Sequence, residues 1–280
     1  MEDNLLNHSE SASVSNLLAG KKGLIMGVAN NRSLAWGAAR AAHQAGADLA
    51  FTYQGQSLHS RVEELAHSIG SNFLIECDVT HQESINSLFE TIENKWGKFD
   101  FLIHSIAYSD KNELKGRFLD TSEENFLNAM NISCYSFISL VRRAELLMNP
   151  GGSFITFTYY GAEKVTPHYN VMGPVKAALE ASVRYMSVDL GRKNIRINAI
   201  SAGPVRTLAS SAIEDFKHIL RWNEHNAPLA RNVTLHDLGG ASLFLLSSLS
   251  SGVTGEVLHV DCGYHVVGMK AADSPTWSDD

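Results

Sequence analysis

Seven short runs rich in β-branched and apolar residues recur along the chain, each separated from the next by a longer stretch, and this alternation constrains the fold more than any other feature. The runs are GLIMGV (23–28), ADLAFTY (47–53), NFLIECDV (72–79), FDFLIHSIA (99–107), SFITFTY (153–159), IRINAIS (195–201) and EVLHVD (256–261). Strands alternating with helical stretches form parallel sheets covered on both faces. The expected fold is α/β: a Rossmann-like, doubly wound sheet of seven parallel strands, with helices on both faces, in a single domain. Two crossover helices can be read directly, SLAWGAARAAHQAG ending at Gly46 and SINSLFETIENKWG ending at Gly97.

Residues 21–269 are expected to form the folded body. Residues 1–20 are acidic and rich in Ser and Asn, lack the basic and apolar regions of a signal peptide, and read as a flexible tail. Residues 270–280 read as a second polar tail. The stretch 204–234 looks helical but interrupts the rhythm, as a segment covering a ligand would. No apolar run approaches the length of a membrane span. The net charge of −7 disfavours a nucleic-acid or anionic-membrane surface. A small-molecule site is the expected alternative. Cys77, Cys134 and Cys262 lie far apart in the chain, which fits a reducing cytoplasm, and the twelve histidines lack metal-ligand spacing.

After the first strand, GVANNRSLAWG carries Gly27, Gly37 and a candidate helix N-cap, Ser33. Such a turn aims backbone N–H groups and a positive helix end at a pyrophosphate. It lacks GxGxxG spacing, so an ordinary βα turn is an equal reading. Just after the second strand stands Gln54, with neither an acid nor an adjacent cation, which favours NADH over NADPH. Asp78 could accept from an adenine amino group or close an Asx turn.

Three phenols, Tyr159, Tyr160 and Tyr169, precede Lys176. Tyr169 and Lys176 stand seven positions apart, which on one helix would place both on the same side. An ammonium beside a phenol would lower the phenol's pKa. The pair alone is a weak motif, but it follows the fifth strand, and ligands bind at the carboxyl ends of such strands. Pro174, within that helix, would cost roughly 3 kcal/mol at mid-helix and less near the first turn.

Together, GVANNRSLAWG, ADLAFTYQG, CDV, HSIA, YYGAEKVTPHYNVMGPVKAALEASVRYM, RINAISAGPVRTLA and GEVLHVDCGY resemble the short-chain dehydrogenase/reductase family. The likeness is closer to its bacterial NADH-type enoyl-[acyl-carrier-protein] reductase branch. The resemblance implies Tyr159, Tyr169 and Lys176 as catalytic residues. It implies cofactor contacts at Gly27, Ser33, Leu34, Gln54, Asp78, Val79, Ile106, Lys176, Val205, Arg206, Thr207, Leu208 and Ala209. Substrate contacts would fall on Ser109, Tyr159, Tyr169, Met172, Ile213 and Phe216, with Ala209, Ile213 and Phe216 closing over an acyl chain. An ordinary surface helix is the other reading of that segment.

The implied reaction is NADH-dependent reduction of enoyl thioesters on acyl carrier protein, in fatty acid synthesis, by a cytoplasmic homotetramer. Tyr160 has no counterpart and reads as packing. Thr156 stands where carbonyl-reducing relatives carry a serine, which argues against a ketone or alcohol reductase. Ala107 and Cys262 replace glycines common in relatives. Asn131 matches a structural or proton-relay asparagine of the wider family, or is an ordinary helix residue. A carbonyl reductase of the same fold and a non-catalytic NADH-binding regulator are the competing readings.

Overall fold

The computed structural model describes residues 16–208 and 216–269. In chain order the elements are β1 (Lys22–Met26), α1 (Leu34–Gln44), β2 (Asp48–Tyr53), α2 (Gln56–Ser68), β3 (Leu74–Glu76), α3 (Gln82–Trp96), β4 (Phe99–His104) and α4 (Glu123–Met130). They continue with α5 (Ser136–Ala144), β5 (Met148–Thr158), α6 (Met172–Gly191), β6 (Arg196–Ala202), α7 (Phe216–Asn226), α8 (Leu235–Leu246) and β7 (Val257–Val260). The strands form one parallel sheet in the order β3-β2-β1-β4-β5-β6-β7. All seven expected strands are present.

Each central strand is buried on both faces, which is why these runs are continuously apolar rather than alternating. One core, under α3, α5 and α6, includes Leu88, Phe89, Phe137, Phe154 and Val175. The other, under α1 and α8, includes Ile25, Trp36, Phe51, Phe101 and Leu238. Fully burying one such side chain contributes about 1.5–3 kcal/mol. Leu18, 2% exposed, belongs to the second core and its N–H donates to Ala45 O, so packing begins ahead of Lys21. The remaining tail residues, 1–15 and 270–280, lie outside the described residues.

Gly46 closes α1 with φ 93°, a left-handed conformation that glycine adopts without a Cβ penalty. Gly37 lies within α1, where an added Cβ would approach Leu235 O to 2.8 Å. It serves close packing of α1 on α8 and does not bracket the phosphate-type loop. β5 starts five residues earlier than its apolar run, because Met148 pairs with Phe99 before a register shift.

The strand order reverses between β1 and β4, and ligands in open α/β sheets bind at such a switch. There Ser105 N–H donates to Met26 O, and a Cβ on Gly27, whose φ is 96°, would overlap Ser105 O. Only glycine leaves the crevice open at this point.

Candidate active site

A cavity of 1030 Å³ runs across the carboxyl ends of β1, β2, β4, β5 and β6. Of the residues singled out from sequence, Gly27, Ser33, Leu34, Gln54, Val79, Ile106, Ala107, Ser109, Tyr159, Tyr169, Met172, Lys176, Val205, Thr207, Leu208 and Phe216 line it. Ala209 and Ile213 lie outside the described residues. Arg206 departs from expectation: it faces a separate pocket of 290 Å³ with Lys217 and Glu224.

Ser33 is the N-cap residue of α1, but its hydroxyl makes no bond to the helix. It accepts from Ala29 N–H and Asn30 N–H at 3.0 and 3.1 Å, and so shapes the loop and leaves the first turn of α1 unbonded by this side chain. This suits a pyrophosphate at the positive helix end. Asp78 is not in the cavity wall. Its Oδ1 accepts from Thr80 N–H at 2.9 Å, an Asx turn, and its Oδ2 accepts from Gln54 Nε2 at 3.0 Å. Despite some burial, these bonds hold the Asp78 carboxyl below its usual range. Cys77 also lines the cavity, and burial pushes its thiol up to about 11, leaving it unreactive as a nucleophile.

Tyr169 and Lys176 do not share a helix. α6 begins at Met172, and Tyr169 lies in the turn before it, brought to the cavity by Tyr169 N–H donating to Thr166 O and Met172 N–H donating to Tyr169 O. The flanking residues His168 and Asn170 have φ of 59° and 39°. Left-handed backbone at non-glycine residues stores of order 1–3 kcal/mol and tends to occur at functional sites. Asn170 Nδ2 ties this turn to Glu113 O and Gly116 O at 3.4 Å. Pro174 occupies the third position of α6, where the N–H has no intrahelical partner, so it removes no helical bond.

Tyr169 is 9% exposed and lines the cavity. Burial, with Tyr159 and Glu180 nearby, drives its pKa well above that of an ordinary phenol. This reverses the sequence expectation: the Lys176 ammonium, 6% exposed, instead donates to Phe157 O at 2.8 Å, and desolvation dominates. Tyr169 is thus a neutral donor throughout the physiological range. Burial also pushes Lys176 down to about 8, against the opposing influence of Cys134 and Glu180. Tyr159 follows the last residue of β5 and meets Tyr169 edge to face, with centroids 5.0 Å apart. Burial raises Tyr159 to about 12, with Thr166 pulling the other way. Tyr160 is outside the cavity wall, and its hydroxyl donates to His265 O at 3.3 Å.

Several supporting residues escaped the sequence reading. A Cβ on Gly161 would come within 2.5 Å of the Tyr169 ring and 3.2 Å of Tyr159, so this glycine permits the paired phenols. Ser133, fully buried in a π-helical turn at 131–135, accepts from Tyr108 N–H at 2.8 Å and donates to Tyr108 O at 3.1 Å. Asn125 accepts from Asp110 N–H at 2.9 Å and bonds Ser109 Oγ. Both fix the loop that carries Ser109. Asn131 itself is exposed and outside the cavity wall, so it acts as a helix residue.

Thr156, in the position of the carbonyl reductases' serine, is fully buried and bonded to His104 Nδ1 at 3.0 Å. Ser136 Oγ donates its one proton to Ile132 O, so His104 Nε2 must carry a proton to bond Ser136, and Thr156 donates to Nδ1. Burial, and then Lys176, holds His104 neutral with its pKa near about 3. The Thr156 hydroxyl is thereby committed inside the core, away from the cavity.

A model of the family described as Enoyl-(Acyl carrier protein) reductase matches residues 27–265. Enoyl-[acyl-carrier-protein] reductase [NADH] 1 of Rhizobium meliloti (strain 1021) is 61% identical over 264 residues, covering 94% of this chain and 97% of that one. The NADH enoyl-[acyl-carrier-protein] reductase FabI of Rickettsia typhi is 59% identical, over 90% of this chain and 97% of its own. Among solved structures, the Anaplasma phagocytophilum reductase in complex with NAD superposes at TM-score 0.89 with 56% identity, covering 94% and 98% of the two chains. The Bacillus cereus reductase with NADP+ and indole naphthyridinone gives 0.89 and 48%, covering 91% and 100%.

Proposed function

The chain belongs to the enoyl-(acyl carrier protein) reductase family, and from that membership we propose how its own residues divide the NADH-dependent reduction of an enoyl thioester. The open crevice at Gly27, the Ser33-shaped loop and the free start of α1 fit a dinucleotide pyrophosphate. Gln54, with no adjacent cation and with Asp78 bonded to it, suits a ribose 2′-OH better than a 2′-phosphate. NADH, when bound, supplies the hydride.

Reduction at the β-carbon moves negative charge onto the thioester oxygen, and the product is completed by a proton at the α-carbon. Tyr169 is the donor to that oxygen. A preorganised donor in a water-excluding site lowers such a barrier by roughly 2.7–4 kcal/mol. Lys176 holds the ribose and supplies positive field, and Tyr159, packed edge to face on Tyr169, orders the substrate side. Ser109, Met172 and Phe216 contact the acyl group. The observation carrying this reading is the neutral Tyr169 phenol in the cavity wall, packed edge to face on Tyr159.

The commitment of Thr156 to His104 favours this chemistry over carbonyl reduction. We assign residues 21–269 to the reductase domain; among the described residues packing begins ahead of it, from Asn16. No helix among the described residues is long and apolar enough to cross a membrane. We place the protein in the cytoplasm, acting on acyl carrier protein-bound enoyl chains. The exposed Leu127, Tyr135, Tyr185 and Val188 support a homotetramer burying these helix faces. The functional test is parallel assay of crotonyl- and acetoacetyl-thioesters with NADH. Turnover of the crotonyl substrate is expected, and turnover of only the acetoacetyl substrate would reverse the assignment.

A further inference from the structure

The buried stripe of α6 reads Met172, Val175, Lys176, Leu179, Glu180, Val183, Met186, Leu190, so two charged residues one turn apart interrupt an otherwise apolar face. Buried Lys and Glu are rare unless their charges are matched. Yet no ion pair joins these two, nor Glu180 to any other described cation. They grip consecutive residues at the end of β5 instead: Lys176 donates to Phe157 O at 2.8 Å, and Thr158 Oγ1 donates to Glu180 Oε1 at 2.7 Å. The next residue is Tyr159, and Phe157, Thr158 and Tyr159 all line the cavity.

We propose that Glu180 is a positioning residue for the reaction: its carboxylate anchors Thr158 beneath Tyr159 and supplies the negative charge that keeps Lys176 an ammonium. The proposal rests on the reading of Tyr169 and Lys176 as the reacting pair. The other groups facing Lys176 cannot supply that charge. His104 from β4 is neutral in the working range, and the Cys134 thiol, from the π-helical turn, is raised by burial. Around Glu180 itself stand Glu163, His259 and Arg184, and Glu163 Oε1 is bonded to His259 Nε2 at 2.7 Å. Glu180 is the anion that touches the strand end carrying the phenol.

The test uses the full chain carrying Glu180→Gln, which keeps an acceptor for Thr158 but loses the charge. The alkaline limb of kcat/KM, and that of NADH binding followed by fluorescence, should both move to lower pH by about one unit, a tenfold loss at a fixed pH on that limb. Glu180→Asp should restore the limb. Thr158→Val, which removes the bond that counters burial at Glu180, should lower kcat and move the limb the same way by a smaller amount, and it provides the reading should Glu180→Gln fail to fold. Superimposed wild-type and Glu180→Gln profiles, or a limb moved equally in Glu180→Asp, would overturn the role of Glu180. Lys176→Ala is the control. If it turned over undiminished, the reading of the pair itself would fall; if it were impaired while Glu180→Gln matched wild type, only Glu180's role would.

Discussion

The two walls of the cavity are built differently. On the β5–α6 wall, Tyr169, Lys176 and Glu180 are almost fully buried, and the ammonium and carboxylate are each held by a β5 group. On the opposite wall, Tyr108 and Leu208 are 48% and 49% exposed, and the loop at 108–110 is fixed through its backbone by Ser133 and Asn125. On the proposed function, the contrast divides chemistry from selection. Burial makes the first wall's protonation states extreme and its positions fixed, whereas the second is more exposed and mixes apolar Tyr108 and Leu208 with the charged Asp110 and Lys111. Substitutions in the first should act on kcat, and those in the second on KM.

The largest effect that separates the walls is expected from Tyr169→Phe. Loss of the donor should lower kcat for crotonyl-thioester reduction by about 10²–10³-fold while NADH binding persists. Next, kcat/KM should fall above about pH 8, where Lys176 loses its proton; the cation is present below that pKa and absent above it. A pH–rate profile checks this, and a flat profile to pH 10 would break the account of the buried wall. Gly161→Ala should cost roughly tenfold to a hundredfold in kcat, because the new methyl displaces the Tyr169 ring. Asn125→Ala, by contrast, removes bonds behind the exposed wall. It should raise KM a few-fold with kcat nearly constant, which steady-state kinetics would read. The smallest change belongs to Tyr160→Phe, outside both walls, which should leave both parameters within about twofold.

The legibility of these two walls differed as well. The number of strands and their approximate places were readable because doubly buried strands leave continuous apolar runs, and Tyr159, Tyr169 and Lys176 stood out because their spacing matches a family pattern. The supporting geometry was less visible. Tyr169 was placed on a helix because its spacing to Lys176 fits one, but His168 and Asn170 in PHYN are the residue types that tolerate left-handed backbone and break the helix there. The raised Tyr169 pKa depends on burial by distant segments, which spacing does not reveal. Glu180 left a signal, a second charge one turn along a buried stripe, readable once the stripe is known. Ser133, Asn125 and Gly161 act through contacts with backbone or rings in other segments, so only the folded chain identifies them. Cys262, in a glycine's usual place, adopts φ 61°, which explains why glycine suits that position.

The central claim, that the buried wall presents Tyr169 as the donor to the thioester oxygen, is tested most directly by a crystal structure with NAD+ and a crotonyl-thioester bound. The Tyr169 hydroxyl should lie roughly 2.6–3.2 Å from the thioester oxygen, with Lys176 turned from Phe157 O to the ribose. A thioester oxygen held by another donor, with Tyr169 beyond hydrogen-bond reach, would contradict the account.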